Sequence, residues 1–204
     1  MNRGAMFPLR AVPLAACLAF TLLSACGSAS APAGDPPLAG AAIGGPFELV
    51  DSAGKTVRWS DFDGKYRVIY FGYAYCPDVC PLDVQRMMQG YARFKQAEPA
   101  LAAQVQPMFV TIDPARDTPK VVGEFTHAFS NDLLGLTGTA EQVDRAAKAF
   151  AVYYKKGETG AGGGYMMDHS RAAYLMGRKG EPIAILPIDQ SPDAVAAELE
   201  KWVN

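Results

Sequence analysis

Two cysteines separated by three residues are the side chains in this sequence with the clearest capacity for chemistry. Cys76 and Cys80 stand in the segment Cys-Pro-Asp-Val-Cys-Pro, so each precedes a proline. A residue before proline disfavours the helical conformation, and a proline inside a helix clashes with the preceding turn. We therefore expect both cysteines in a turn before a helix that begins at Pro81, with Cys80 near the helix cap.

This position favours the thiolate form of both cysteines, because the positive end of a helix dipole lowers the pKa of a nearby thiol. Two sulfurs on a short, proline-stiffened turn can chelate one metal ion, cycle between dithiol and disulfide, or form a static structural disulfide. The static bridge is the least favoured of the three, because a disulfide that closes so short a loop restrains the unfolded chain very little.

A histidine far downstream completes a candidate metal site. His169 lies in the segment Asp-His-Ser, and two thiolates with one imidazole form a soft, low-coordinate donor set that suits copper and could also hold zinc. A structural zinc site normally has a fourth protein ligand, and the sequence offers no convincing one. Asp168 is a candidate to orient the imidazole, or else a carboxylate that faces water. Asp78, between the cysteines, is a second carboxylate expected to support the ligands.

Other side chains near these motifs have weaker claims. Met166 and Met167 offer thioethers, but adjacent methionines are more typical of a packed core, and we favour that interpretation. His127, late on a predicted helix, is interpreted as a surface residue. Arg116 follows a predicted strand and is a candidate partner for a peroxide-reducing cysteine only if the fold brings it near.

The elements predicted around these residues alternate in the manner of an α/β protein. Aromatic and β-branched runs predict strands at 47–50, 55–59, 66–71, 105–112, 133–136, 172–176 and 183–186. Cap signals predict helices at 81–96, 119–129 and 139–154 and a last helix that opens at Ser191, with a glycine-rich loop over 157–164. This order fits a thioredoxin-like sandwich with an N-terminal β-hairpin and an insertion.

Composition narrows the classes of function. The chain has 204 residues, of which 50% are hydrophobic and 20% charged, with a formal net charge of −2. These values exclude a wholly disordered chain, and a sequence pI near 5.7 argues against nucleic acid as a partner. The sequence contains no Walker loop, no dinucleotide fingerprint and no nucleophile elbow.

The N-terminal segment predicts export. An uncharged stretch at 11–25 follows Arg3 and Arg10; it is short for a membrane span and typical of a signal peptide. The end of the stretch, Leu-Ser-Ala-Cys, is similar to the lipobox of bacterial lipoproteins, although an ordinary signal peptide with a coincidental cysteine is the alternative. We predict a signal peptide over 1–25, lipid on Cys26, a flexible tether to residue 45 and a domain over 46–204. The domain would then be anchored by lipid at the membrane and face the periplasm or another extracytoplasmic space.

Several motifs together resemble the SCO/SenC family and occur in that family's order. They are Tyr-Phe-Gly-Tyr at 70–73, Cys-Pro-Asp-Val-Cys-Pro at 76–81, Phe-Val-Thr-Ile-Asp-Pro at 109–114, Arg-Asp-Thr-Pro at 116–119, Leu-Thr-Gly-Thr at 136–139 and Asp-His-Ser at 168–170. The resemblance implies a thioredoxin-like fold and copper bound by Cys76, Cys80 and His169. Ala74 departs from the polar residue that many members carry there.

The family's usual role is assembly of the binuclear copper site of cytochrome c oxidase subunit II. The resemblance therefore implies a copper metallochaperone, with subunit II or another copper-accepting protein, other copper chaperones or thiol reductants as partners. The alternative is a thiol–disulfide oxidoreductase that reduces the cysteine pair of that site with Cys76 and Cys80. The chaperone requires His169, whereas the oxidoreductase depends on it little. A peroxide-reducing protein and a non-catalytic binding module are further alternatives, so whether the protein is an enzyme stays open.

Overall fold

A mixed β-sheet of five strands forms the centre of the molecule in the computed structural model, which describes residues 1–2, 4, 34–160 and 162–204. In chain order the strands are β1 (Glu48–Val50), β2 (Thr56–Arg58), β3 (Tyr66–Gly72), β4 (Val105–Thr111), β5 (Leu134–Leu136), β6 (Tyr154–Lys156), β7 (Met167–His169), β8 (Ala173–Met176) and β9 (Pro182–Leu186). The central sheet has the order β5-β4-β3-β8-β9, while β1–β2 and β6–β7 form separate antiparallel pairs. β4 runs parallel to β3 and β5, and β8 runs antiparallel to β3 and β9.

Helices cover both faces of this sheet. They are α1 (Val79–Ala97), α2 (Pro99–Ala102), α3 (Pro119–His127), α4 (Ala140–Ala149) and α5 (Pro192–Trp202). The parallel crossovers through α1 and α3 run the same way along the sheet, so their right-handedness places both helices on one face, where α5 packs against α1. On the other face Phe150, just after α4, contacts Phe71 and Trp59. This α/β architecture confirms the predicted thioredoxin-like sandwich with its N-terminal hairpin and insertion.

The central strand β3 carries the site at its C-terminal end. All seven of its residues are buried, as expected for a strand covered on both faces. Its side chains alternate between the faces: Tyr70 reaches Asp83 on α1, and Phe71 packs on Phe150. A Cβ added to Gly72 would lie 2.8 Å from the Tyr70 ring and 3.2 Å from Cys80 Sγ. The absence of a side chain at Gly72 therefore lets the cysteine segment lie directly on the end of the strand.

The structure corrects several predicted boundaries. α4 ends at Ala149, not Tyr154, and the chain then passes through Ala151 at a positive φ of 52°, which an α-helix does not allow. Tyr154 instead begins β6, which pairs with β7, and neither strand was predicted; the predicted glycine-rich loop over 157–164 lies between them. α3 ends at His127, two residues before its predicted end, and the short helix α2 was not predicted.

Residues 34–45 differ from the flexible tether predicted there. Leu38 and Ile43 pack against the core, and the Leu38 N–H donates to the Ile183 carbonyl. The Gly44 N–H donates to the carbonyl of Ala149, so this segment is part of the folded domain. The predicted signal peptide and the lipidation site Cys26 lie outside the described residues. Within the described part of the chain, no helix combines the length and the apolarity that a bilayer crossing requires.

Candidate metal centre

The two cysteines lie where the turn after β3 enters α1. The Cys76 N–H donates to the carbonyl of Tyr73, which closes the turn. The helix begins at Val79 and not at Pro81, so Cys80 lies within its first turn. The prediction that both cysteines precede the helix is therefore wrong for Cys80. Pro81 is tolerated there because backbone N–H groups in the first helical turn have no acceptor inside the helix. Both cysteines are buried free thiols.

Cys76 has the more acidic of the two thiols. Burial alone raises its pKa, but the backbone N–H groups of Cys80 and Asp78 point at Cys76 Sγ and leave the pKa below the ordinary value for cysteine. The Cys80 N–H lies 3.4 Å from that sulfur. Asp78 thus supports the thiolate through its backbone; its carboxylate is exposed and makes no capping hydrogen bond, contrary to the supporting role predicted for that side chain.

Cys80 is fully buried, and its Sγ lies 3.2 Å from His169 Nε2. Burial raises the pKa of this thiol above its ordinary value, so Cys80 holds its proton while Cys76 tends to lose its own. The structure therefore brings two of the three predicted donors into direct contact although they are 89 residues apart in the chain. The pKa of His169 is in turn lowered by burial, which favours the neutral imidazole that binds metals.

The hydrogen bond on the far side of the imidazole fixes which nitrogen is free. His169 Nδ1 lies 2.9 Å from the carbonyl oxygen of Ser170. A carbonyl only accepts hydrogen bonds, so Nδ1 carries the ring proton and Nε2 presents its lone pair toward Cys80. The Asp168 side chain is exposed. The carbonyl of Ser170, and not the Asp168 carboxylate, accepts the hydrogen bond that orients the imidazole. Successive side chains on strand β7 point to opposite sides, so Asp168 faces away when His169 faces the cysteines.

An ion pair that the sequence did not predict joins the two halves of the site. Arg171 Nε and Nη2 donate to the buried carboxylate of Asp83 at 2.9 and 2.7 Å. The Tyr70 hydroxyl, 3.1 Å from the same carboxylate, completes its surroundings. Asp83 lies one turn after Cys80 on α1, and Arg171 follows His169 by two residues. The spacing of each charged residue from its ligand was a usable signal, but their pairing required the fold.

Tyr73 and Arg116 border the site on its other side. The Tyr73 ring lies 6.0 Å from the His169 ring at nearly a right angle, and its hydroxyl donates to Met166 Sδ at 3.9 Å. Burial raises the pKa of Tyr73 to about 12. Arg116 stacks on Tyr165 at 3.6 Å and donates to Asp113 and to the Tyr165 carbonyl. Its hydrogen bonds thus hold the loop before β7 and are not directed at a cysteine, which removes support from the peroxide-reducing alternative.

The three predicted donors are neighbours without forming a closed cage. Cys80 contacts His169, and Cys76 accepts the Cys80 N–H one turn away. Among the described residues, no three His, Cys, Asp or Glu side chains are already converged on one point. Binding one ion with all three donors requires the two sulfurs and Nε2 to move closer together. Two thiolates and one imidazole so arranged can hold one soft metal ion or exchange with an external disulfide.

His127 is exposed, which confirms that it is a surface residue.

The chain is similar in sequence to several known proteins. The protein SenC of Rhodobacter capsulatus is 41% identical over 158 residues, which make up 78% of this chain and 69% of the relative. The mitochondrial SCO2 homolog of Bos taurus is 40% identical over 141 residues, or 69% of this chain and 52% of the relative. The chain thus spans about half the length of that mitochondrial protein.

A solved structure and a family model also match this chain. The structure of Bradyrhizobium japonicum ScoI with copper bound has a TM-score of 0.71 at 34% identity, covering 78% of this chain and 99% of that chain. The family model described as SCO1/SenC matches residues 35–204, a span that includes both cysteines, His169 and the ion pair between their elements. The fold, the family-model match and these relatives together show that the chain belongs to the SCO1/SenC family.

Proposed function

We propose that this protein is a copper metallochaperone that binds copper through Cys76, Cys80 and His169. The observation that carries the proposal is the 3.2 Å contact between Cys80 Sγ and His169 Nε2, with the nitrogen lone pair directed at the sulfur. With Cys76 one turn away, the donors are two sulfurs and one nitrogen, a soft, low-coordinate set that suits copper. The copper-bound ScoI, 34% identical, supports copper as the ion.

Loading of the site needs proton release from the thiols but none from the imidazole. The amides of Asp78 and Cys80 already stabilise a thiolate at Cys76, so this sulfur is the first to bind. The buried Cys80 thiol gives up its proton when the positive ion compensates the new charge. Burial of Cys80 and Tyr73 keeps water from the donors, which protects a bound ion until a partner displaces a ligand.

We infer that the copper is delivered to the binuclear site of cytochrome c oxidase subunit II, the usual role of the SCO1/SenC family, or to another copper-accepting protein. Other copper chaperones or thiol reductants would load or regenerate the site. The lipid predicted on Cys26 would hold the domain at a membrane with its site facing the periplasm or another extracytoplasmic space. Together these make the protein an exported assembly factor.

The chain's two histidines provide a matched test of the three-donor site. Anaerobic titration of the reduced protein with Cu(I), in competition with a chelator, is expected to show one tightly bound ion per chain. His169→Ala is expected to weaken the affinity about 10-fold or more, since a ligand contributes at least as much as the groups that support it. His127→Ala, at an exposed position, is the control and keeps the wild-type affinity. Equal affinity for wild type and His169→Ala would exclude the three-donor model.

The asymmetry of the two thiols favours thiol–disulfide exchange as a second activity. The Cys76 thiolate would attack a partner disulfide to form a mixed disulfide, and Cys80 would then attack Cys76 Sγ and release the partner as a dithiol. Two electrons and two protons pass to the partner while the Cys76–Cys80 disulfide forms. This activity predicts that His169→Ala keeps its rate of reduction of a disulfide substrate, whereas either cysteine variant loses it. A redox titration in which Cys76 and Cys80 stay bridged at every accessible potential would exclude it.

A further inference from the structure

The two adjacent methionines before His169 have different surroundings. Met167 lies in β7 and is only 9% exposed, packed with the core as the sequence analysis predicted for both. Met166 precedes the strand and is 50% exposed, so it is not core filler. This exposure leaves the polarizable thioether sulfur of Met166 accessible to an incoming soft metal ion.

Met166 borders the site through Tyr73. Its Sδ accepts from the Tyr73 hydroxyl at 3.9 Å. Tyr73 is 1% exposed, and its ring packs against that of His169 with 6.0 Å between the ring centroids. One aromatic side chain therefore separates the thioether sulfur from the imidazole of the proposed site.

The loop that carries Met166 is held in place on both sides. The Gly157 N–H donates to the Met166 carbonyl, and Arg116 donates to the carbonyl of Tyr165, the residue before it. The Tyr165 hydroxyl also donates to Asp113 at 2.8 Å. Because hydrogen bonds hold the backbone of Tyr165 and Met166, the Met166 side chain stays near the site.

Other exposed apolar side chains surround the same site but cannot bind copper. Tyr75 precedes Cys76, Leu82 follows Cys80, and the Tyr153 carbonyl accepts the Ser170 N–H next to His169. Of these and Met166, the methionine alone carries a soft donor atom. A thioether suits Cu(I), is neutral, and has no proton to release on binding.

We propose that Met166 is a transient Cu(I) ligand at the entrance of the site, a role that rests on the proposed copper-binding function. On loading, a Cu(I)–Sδ bond forms as the bond to the incoming carrier breaks. That Cu(I)–Sδ bond breaks when Cys76, Cys80 and His169 bind, and the protons that the thiols still hold pass to solvent. The ion stays Cu(I) throughout, no electron moves, and delivery to a partner follows the same steps in reverse.

The test is NMR of the reduced full chain with ¹³C-methyl methionine, titrated anaerobically with Cu(I) supplied as its acetonitrile complex. In His169→Ala, where the third donor is missing and the thioether stays bound, the methyl signal of Met166 is expected to shift at substoichiometric copper, while that of Met167 stays in place. Thiolate binding is followed in the same samples by the ultraviolet absorption of Cu(I)–thiolate bonds. An unmoved Met166 signal with full development of that absorption would overturn the proposal and leave the proposed function intact. Absence of the absorption would overturn both.

A rate measurement with a matched pair of variants completes the test. Met166→Leu keeps nearly the same volume without the sulfur, and Met167→Leu makes the same change at the neighbouring core position. Met166→Leu is expected to bind one Cu(I) per chain but to transfer it to a soluble chelator on the order of fivefold more slowly, as befits the loss of one weak contact. Met167→Leu is expected to transfer at the wild-type rate. Transfer by Met166→Leu at that same rate would refute a role in copper entry.

Discussion

The cysteine turn and the histidine ribbon supply the same site in opposite ways. The turn, residues 73–78, lies on the end of the buried central strand and continues into a 19-residue helix, α1, whose first turn holds Cys80. The ribbon, β6 and β7 with the glycine-rich segment between them, is a separate two-stranded sheet at the surface. One region is shaped by its own sequence and by the core beneath it, and the other is held mainly by contacts to distant residues.

The difference shows how a small two-stranded element can place a proposed ligand beside a sulfur from a distant part of the chain. Outside the ribbon, the segment around His169 is held by the Asp83–Arg171 ion pair, by the Arg116 hydrogen bonds and by aromatic contacts to Tyr70 and Tyr73. The sulfur pair by contrast needs no partner from elsewhere in the chain to stay together. We therefore expect changes at the turn to act on copper and fold together, and changes at the ribbon to act mainly through the contacts that hold it.

Replacing a sulfur donor is the largest expected effect and tests whether the turn dominates. Cys80→Ser substitutes a hard oxygen for a soft sulfur, and we expect Cu(I) affinity to fall by more than the roughly 10–100-fold that follows from loss of a supporting hydrogen bond. Competition with a Cu(I) chelator measures this, with His169→Ala alongside. If the histidine variant loses as much affinity as Cys80→Ser, the two regions contribute equally and the comparison fails.

Removing Arg171 from its pair with the buried Asp83 tests what holds the ribbon. Arg171→Met leaves the fully buried Asp83 carboxylate without its cation, but the Arg171 side chain is 44% exposed, so we expect a cost of about 2–3 kcal/mol, between that of a surface pair and that of a fully buried pair. Urea unfolding of the reduced copper-free protein measures the loss. Lys95→Met, which breaks the exposed Lys95–Asp132 pair, is the control and should cost at most about 1 kcal/mol. Equal losses for the two variants would mean that the Asp83–Arg171 pair is only a surface contact.

A methyl group added to each region is the next test. In Gly72→Ala the new Cβ meets the Tyr70 ring at 2.8 Å and Cys80 Sγ at 3.2 Å, so we expect a destabilisation of about 1–3 kcal/mol with weakened copper binding. In Gly162→Ala the Cβ meets nothing within 4 Å, and the free energy of unfolding should change by less than about 0.5 kcal/mol. Thermal unfolding and copper titration measure both. A Gly162→Ala variant as damaged as Gly72→Ala would show that the ribbon is as tightly packed as the turn.

Acidification is expected to give the smallest effect and to act on the ribbon. Burial lowers the pKa of His169 in the folded chain, so the unfolded chain binds a proton more readily as pH falls through its ordinary value near 6.5. Stability should therefore decrease on acidification below that value, by no more than about 1.4 kcal/mol per pH unit for one proton. Urea unfolding between pH 7.5 and 5.5 measures the slope, which should be shallower in His169→Gln. Identical slopes would show that burial of this imidazole contributes nothing to the pH dependence.

Much of the local structure was predictable because it depends on neighbouring residues. The buried run of β3, the capping box of Thr139 with Gln142 and the N-cap at Ser191 are all found where the pattern placed them. The start of α1 was wrong because the first turn of a helix accepts proline without losing a hydrogen bond, and the end of α4 was wrong because Tyr154 pairs with β7 instead of extending the helix. Propensity and periodicity describe a segment alone, whereas strand pairing depends on what lies beside it.

The sequence by itself determined that Cys76 and Cys80 lie close together where a turn meets a helix, because three residues separate them and a proline follows each. It also indicated His169 and the family to which the chain belongs. Only the tertiary structure decided that His169 Nε2 meets Cys80, that Asp83 and Arg171 join their elements, and that Met166 faces outward while Met167 packs inward. These facts depend on which surfaces the folded sheet and ribbon bring together, and distances between residues far apart in the chain arise only when the core is packed.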